Sequence, residues 1–158
     1  MKLISDMRRS EKAITNVDKI EKILKESLVG YMALSKDNLP YVIPVNFLYL
    51  KGKIYVHCAL EGKKLQYIKK NPNVCFLVNK PVTRPRTTCG AAVNYHSVMA
   101  FGNAKFTRNS DIDSLKKLGA KYHECAEYGH EKFKGTGMIE IRIKEVSAKR
   151  GYSNTVNR

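Results

Sequence analysis

From Tyr31 to Ala59 the sequence alternates as strands do: "YMALS", "PYVIPVNFLYL" and "KIYVHCA" are separated only by "KDN" and "KG". Successive residues of a strand point to opposite faces, and Asp, Asn and Gly accept the left-handed backbone of tight hairpin turns. The stretch predicts a three-strand antiparallel meander, which sets the class as mainly β with helices in the connections.

The flanking segments extend this frame. After a basic arm over residues 1–14, Thr15 and Asp18 match a capping box, and Val17, Ile20, Leu24 and Leu28 recur at helical spacing. A helix is predicted over residues 16–28, with Gly30 placed to stop it. "KKLQYIKKNP" predicts a second helix ended by Asn71-Pro72, "NVCFLV" a fourth strand, and "NKPVTRPRTTCGAA" an exposed loop. "VNYHSVMAFGNAKF" reads as a long strand in which Gly102 marks a bulge. Ser110 and Asp113 repeat the capping pattern ahead of Ile112, Leu115 and Leu118, which predicts a third helix. "GMIEIRIKEV" is a sixth strand, and residues 147–158 form a polar tail. Six short strands and about three helices in one domain over residues 1–158 point to a small barrel, since closure removes exposed edges.

Lys and Arg number 29 against 14 Asp and Glu, a formal charge of +15, which directs attention to anionic partners. The cysteines at 58, 75, 89 and 125 form no C-x-x-C pair. His123, Cys125 and His130 fit no metal template, so no metal is expected. The opening residues lack the apolar segment of a signal peptide and no run reaches membrane-spanning length, so the expected location is the cytoplasm.

The chemistry gathers where the third meander strand ends. His57 and Cys58 close that strand, and "EGKK" then opens a helix. A helix N-terminus carries unpaired N–H groups and the positive end of the helix dipole. Gly62 lets the backbone approach a bound oxygen, and Lys63 and Lys64 add cations within the first turn, so the junction has the parts of a phosphate cradle. The plain alternative is a solvated basic face, since Lys69-Lys70 and Lys116-Lys117 are also lysine pairs. Asn46, within an apolar strand, calls for a buried or ligand partner, or a bridge at a bulge. Tyr95 and Phe101 read as core or interface aromatics as readily as ligand contacts. Cys89 reads as a tolerated free thiol or a reactive one.

The elements P-V-N-F (44–47), H-x-A-x-x-G-K-K (57–64) and Y-x-S-V-x-x-F-G (95–102), with "MRRSEKAI" upstream, resemble the pyridoxamine 5'-phosphate oxidase-like flavoproteins. The similarity runs from about residue 7 to about residue 143 and is nearest to the branch that includes nitroimidazole-resistance proteins. It implies a six-stranded split β-barrel that forms a homodimer, with FMN in clefts between protomers. By position, Lys63 and Lys64, next to Gly62, would hold the phosphate, and Pro44, Val45 and Asn46 would line the isoalloxazine. His57 and Cys58 would lie beside the ring, and Tyr95 and Ser97 would contact flavin or substrate. His96 stands where the family pattern has Arg.

The implied activity is that of an FMN-dependent oxidoreductase. It takes electrons from a reduced nicotinamide or another donor and reduces a small planar acceptor, nitroaromatic or quinone-like, with His57 as the candidate proton donor. A flavin-binding protein without turnover, pyridoxamine phosphate oxidation and nucleic-acid binding are the alternatives. Against the last, no ladder of basic and aromatic residues is visible.

Overall fold

A computed structural model describes residues 2–4, 6–82, 95–108, 112–122 and 135–151. The elements are β1 (Lys2–Leu3), α1 (Val17–Glu26), β2 (Val29–Lys36), β3 (Leu39–Asn46), β4 (Leu48–Leu50) and β5 (Lys53–Ala59), then α2 (Lys63–Lys70), β6 (Asn73–Pro81), β7 (Tyr95–Thr107), α3 (Ile112–Lys121) and β8 (Thr136–Arg150). The predicted turns are present. Asp37 and Asn38 (φ 50° and 61°) join β2 to β3, and Lys51 and Gly52 (φ 48° and 75°) join β4 to β5, as two-residue hairpins with both central residues left-handed require.

The strands form one sheet in the order β3-β2-β6-β7-β8-β5-β4, antiparallel along that path, with β1 added parallel to β8. Its two outer strands are consecutive in the chain. β3 ends at Asn46 and pairs with β2, whereas β4 begins at Leu48 and pairs with β5. The fully buried Phe47 is the joint between them, so the barrel is closed by the covalent chain. Changing partners would leave the backbone of Phe47 unpaired, and α3 and the residue after it compensate. The Tyr122 hydroxyl accepts from the Phe47 N–H at 2.8 Å and donates to the Leu28 carbonyl, and Lys121 Nζ donates to the Phe47 carbonyl at 2.9 Å. That ammonium lies 3.8 Å from the Phe47 ring centroid, and burial lowers its pKa to about 8. The core inside the barrel is built from Met32, Ile54, Phe76, Val98, Ile139 and Ile141, with Ile20 and Leu24 of α1 closing one end.

Several expectations are corrected. The described residues hold eight strands rather than six: the long predicted strand through "PVNFLYL" divides at Phe47, and β1 fills the edge that β8 exposes beyond β5. The cap of α1 is Asn16, not Thr15; its Oδ1 accepts the Lys19 N–H at 2.8 Å. Gly30 does not stop α1, which ends at Glu26. It lies in β2, where a Cβ would stand 2.1 Å from the Phe76 ring, so its role is to make room. Nor does the tail begin at residue 147. β8 continues to Arg150 opposite His96, because Ala148 keeps the alternation and is buried. The basic arm is docked as well, with Ile4 and Ile14 donating backbone hydrogen bonds to Val146 and Ala148. Gly102 does mark a bulge, since the β7/β8 register shifts between Phe101 and Gly102.

The predicted loop over residues 79–92 starts later than expected, because β6 runs on through Asn79, Lys80 and Pro81, paired with Ser97, His96 and Tyr95; its part from residue 83, with Cys89, the Ser110 cap, the His123, Cys125 and His130 group and the tail from residue 152 lie outside the described residues. Among the described residues, no cluster of three or more His, Cys, Asp or Glu could hold a metal ion, and no helix is long and apolar enough to cross a membrane.

Candidate functional site

The strand-to-helix junction is built as the sequence predicts. β5 ends at Ala59, two residues follow, and Gly62 turns the chain with φ 130°, a conformation that favours glycine. The Gly62 carbonyl accepts from Leu65 and Gln66 at 3.1 and 3.2 Å, so α2 begins at Lys63 with no side chain among the described residues capping its first N–H groups. Those groups and the positive end of α2 lie at the start of the helix, just past the end of β5 in the chain.

The two lysines differ. Lys63 Nζ sits 4.8 Å from the Tyr41 ring centroid and 5.8 Å from that of Tyr67, and the two rings lie 5.1 Å apart. Two aromatic faces therefore limit where this cation can go. Lys64 lies near Cys58: burial raises the thiol pKa, and the Lys64 charge opposes that rise. The alternation of β5 holds as predicted. Ile54, Val56 and Cys58 are buried while His57 is exposed, so His57 faces solvent and the Cys58 side chain faces the core. A ligand on the His57 face would meet Cys58 through its backbone. Tyr41 and Tyr67 were not singled out in the sequence. Tyr67 had a local signal, four residues after Lys63 on the same helix face, but Tyr41 had none.

Pro44, Val45 and Asn46 lie on β3, whose outer edge has no partner strand among the described residues, and edge strands are where proline is tolerated. Pro44 and Asn46 point outward and are exposed, and Val45 points inward. The residues beside them form an apolar band across the outer face of the sheet. Cross-strand register aligns Pro44, Tyr31, Leu77 and Met99 in one row, and Val42, Ala33, Cys75 and Phe101 in the next. Tyr31, Val42, Met99 and Phe101 are exposed.

Tyr95 and Ser97 open β7 far from the junction. Ser97 pairs with Lys149 and His57 with Met138, eleven residues apart on β8, or roughly 35 Å along an extended strand. Within the single chain the predicted site is thus divided into two parts. Beside the second part stands a cation not anticipated from sequence: Arg150 is the register partner of His96, and its buried Nε–H has no hydrogen-bond partner among the described residues. Its Nη2 donates to the Glu11 carbonyl at 3.1 Å. A permanent cation therefore lies one strand away from the histidine that replaces the expected Arg.

Comparison with known proteins fits this architecture. The chain matches the family model described as pyridoxamine 5'-phosphate oxidase over residues 16–150. No curated protein matches it. Among solved structures, one from Bacteroides thetaiotaomicron provisionally designated a 5-nitroimidazole antibiotic resistance protein has a TM-score of 0.74 at 21% identity, over 87% of this chain and 86% of that one. A FAD-binding protein from Mesorhizobium loti has a TM-score of 0.67 at 22% identity, over 89% and 98%. A FAD- and heme-binding protein from Mycobacterium smegmatis has a TM-score of 0.76 at 15% identity, over 93% and 77%. At these identities the likeness shows the fold, a split β-barrel.

Proposed function

Because the chain belongs to the pyridoxamine 5'-phosphate oxidase family, we propose that it is a flavin-dependent oxidoreductase that binds FMN at the Gly62 junction. The observation that carries this reading is the junction itself: a left-handed glycine, an uncapped helix start, and Lys63 and Lys64 in its first turn, beside the solvent-facing His57. The Mesorhizobium and M. smegmatis proteins of the same fold bind FAD, which supports a flavin here.

When bound, the flavin supplies the redox chemistry, taking electrons from a reduced nicotinamide or other donor for a small planar acceptor such as a nitroaromatic or quinone. The protein's part is to position and to charge. Lys63, steadied by Tyr41 and Tyr67, and Lys64 neutralise the phosphate, with help from the first N–H groups of α2. Pro44 and Asn46 present an edge to the ring, and His57 delivers a proton to the acceptor. Tyr95 and Ser97 come from a second copy of the chain, joined through the apolar outer band, because within one protomer they lie too far from His57. The working unit is a homodimer.

The visible spectrum of the freshly purified protein tests the reading. A yellow protein releasing FMN on heating is expected, and a colourless protein that takes up no added flavin would remove it. His57→Ala is expected to retain the flavin while turnover falls about 100-fold, the usual scale for a lost proton donor; unchanged rates with every acceptor tried would exclude that role.

A further inference from the structure

Between α2 and the end of β7 lies a groove of about 540 Å³ on the side of α2 away from Tyr41. Its floor is apolar, formed by Leu65 and Ile68 of α2 with Ala104 and Phe106 of β7. Three cations stand around it, Lys69, Lys105 and Arg108, against one carboxylate, Glu61. All four are exposed, and none is in an ion pair among the described residues. Carboxylates of the sheet and of α1 are already engaged: Glu26 takes Lys22 and Lys80, Glu21 takes Lys25, and Glu140 takes Lys53.

An apolar floor under uncompensated positive charge is complementary to a flat ring that carries an anion, and the volume falls within the range of small-molecule sites. The planar guanidinium of Arg108 offers paired donors to phosphate oxygens, while the two lysines add mobile point charges. We infer that this groove binds a nucleoside monophosphate unit, its base on Leu65, Ile68 and Phe106 and its phosphate among Lys69, Lys105 and Arg108. One end of the groove is lined by Glu61 and Gly62, the residues that lead into the proposed flavin phosphate site. The unit is either the adenylate half of a dinucleotide flavin or the nucleotide half of a reduced nicotinamide donor. That connection rests on the flavin reading, whereas the recognition chemistry of the groove does not.

AMP is the direct probe, titrated calorimetrically into the intact protein and into the double variant Lys105→Glu/Arg108→Glu, with FMN titrated in parallel. AMP is expected to bind the parent at least tenfold more tightly than the variant, with FMN affinity the same in both; Arg108→Lys should fall between, since it keeps the charge and loses the fork. Within that result the two sources separate. A preference for FAD over FMN that disappears in the variant assigns the cofactor, and a raised KM for the donor at constant kcat assigns the donor. AMP that fails to bind the parent at millimolar concentration, or binds both proteins equally, overturns the inference. So does a single-stranded oligonucleotide that displaces AMP at far lower concentration, which would make the groove part of a polyanion surface. FMN failing while AMP binds would remove the flavin reading and leave the groove standing.

Discussion

Gly102→Ala is expected to lower the stability of the protein by about 3 kcal/mol, near the upper end for overpacking, which for a chain of this size is a fall of roughly 6–12 °C in Tm. At the bulge, Phe101 faces Glu145 and Gly102 faces Ile143, leaving Lys144 as the extra residue on β8. The β8 backbone approaches so closely that a Cβ on residue 102 would stand 2.1 Å from the Arg142 carbonyl oxygen and 2.9 Å from its carbon. Neither strand can retreat cheaply, because Arg142 is paired with Lys53 on one side and Asn103 on the other. Gly62 provides the contrast: a Cβ there meets nothing within 4 Å, so substitution encounters only the cost of its φ of 130°, about 2 kcal/mol. Thermal melts of the two alanine variants measure the difference. A Gly102→Ala shift no larger than that of Gly62→Ala would show that the bulge lacks this close approach.

Tyr31→Glu is expected to convert the proposed dimer to a monomer and to weaken flavin binding by about 100-fold or more, although Tyr31 lies outside the proposed flavin contacts. Tyr31 is in the middle of the outer apolar band, between Pro44 and Leu77. It is partly exposed in the protomer, so a carboxylate there is solvated in the monomer and stripped of water only on association. Desolvating an unpaired charge costs several kcal/mol, enough for a 100-fold or greater change in dimer affinity. Sedimentation and flavin titration should change together, with the circular dichroism of the protomer retained. A monomer with undiminished flavin affinity would show that one chain suffices for the site, and an intact dimer would place the interface elsewhere.

How much of this was legible in the sequence depended on the distance over which each feature is determined. The hairpin turns and the Gly-Lys-Lys junction are local: the residues that require the geometry are adjacent to it. The change of partner at Phe47 is not, because "VIPVNFLYL" remains apolar through the joint while the neighbouring strand changes from β2 to β5. Gly30 looked like a helix stop because the reason for it, the Phe76 ring, lies 46 residues further on. The end of β8 looked like a polar tail because its inward residue is a small Ala148 flanked by outward Ser147 and Lys149. The division of the site residues between two ends of one protomer depends on register across β8, which no single segment encodes.

The central place of β8 also bears on the order in which the protein can be assembled during synthesis. It is the last described strand in chain order, yet it joins β7 to β5 and receives both β1 and the segment around Ile14. Until residues 136–150 have emerged, β5 and β7 both present bare edges, the kind of surface that recruits strands from other chains. The earliest part of the chain must likewise wait for this late strand. The nascent protein therefore spends most of its synthesis with an open sheet, and protection from aggregation arrives in one step when β8 is inserted.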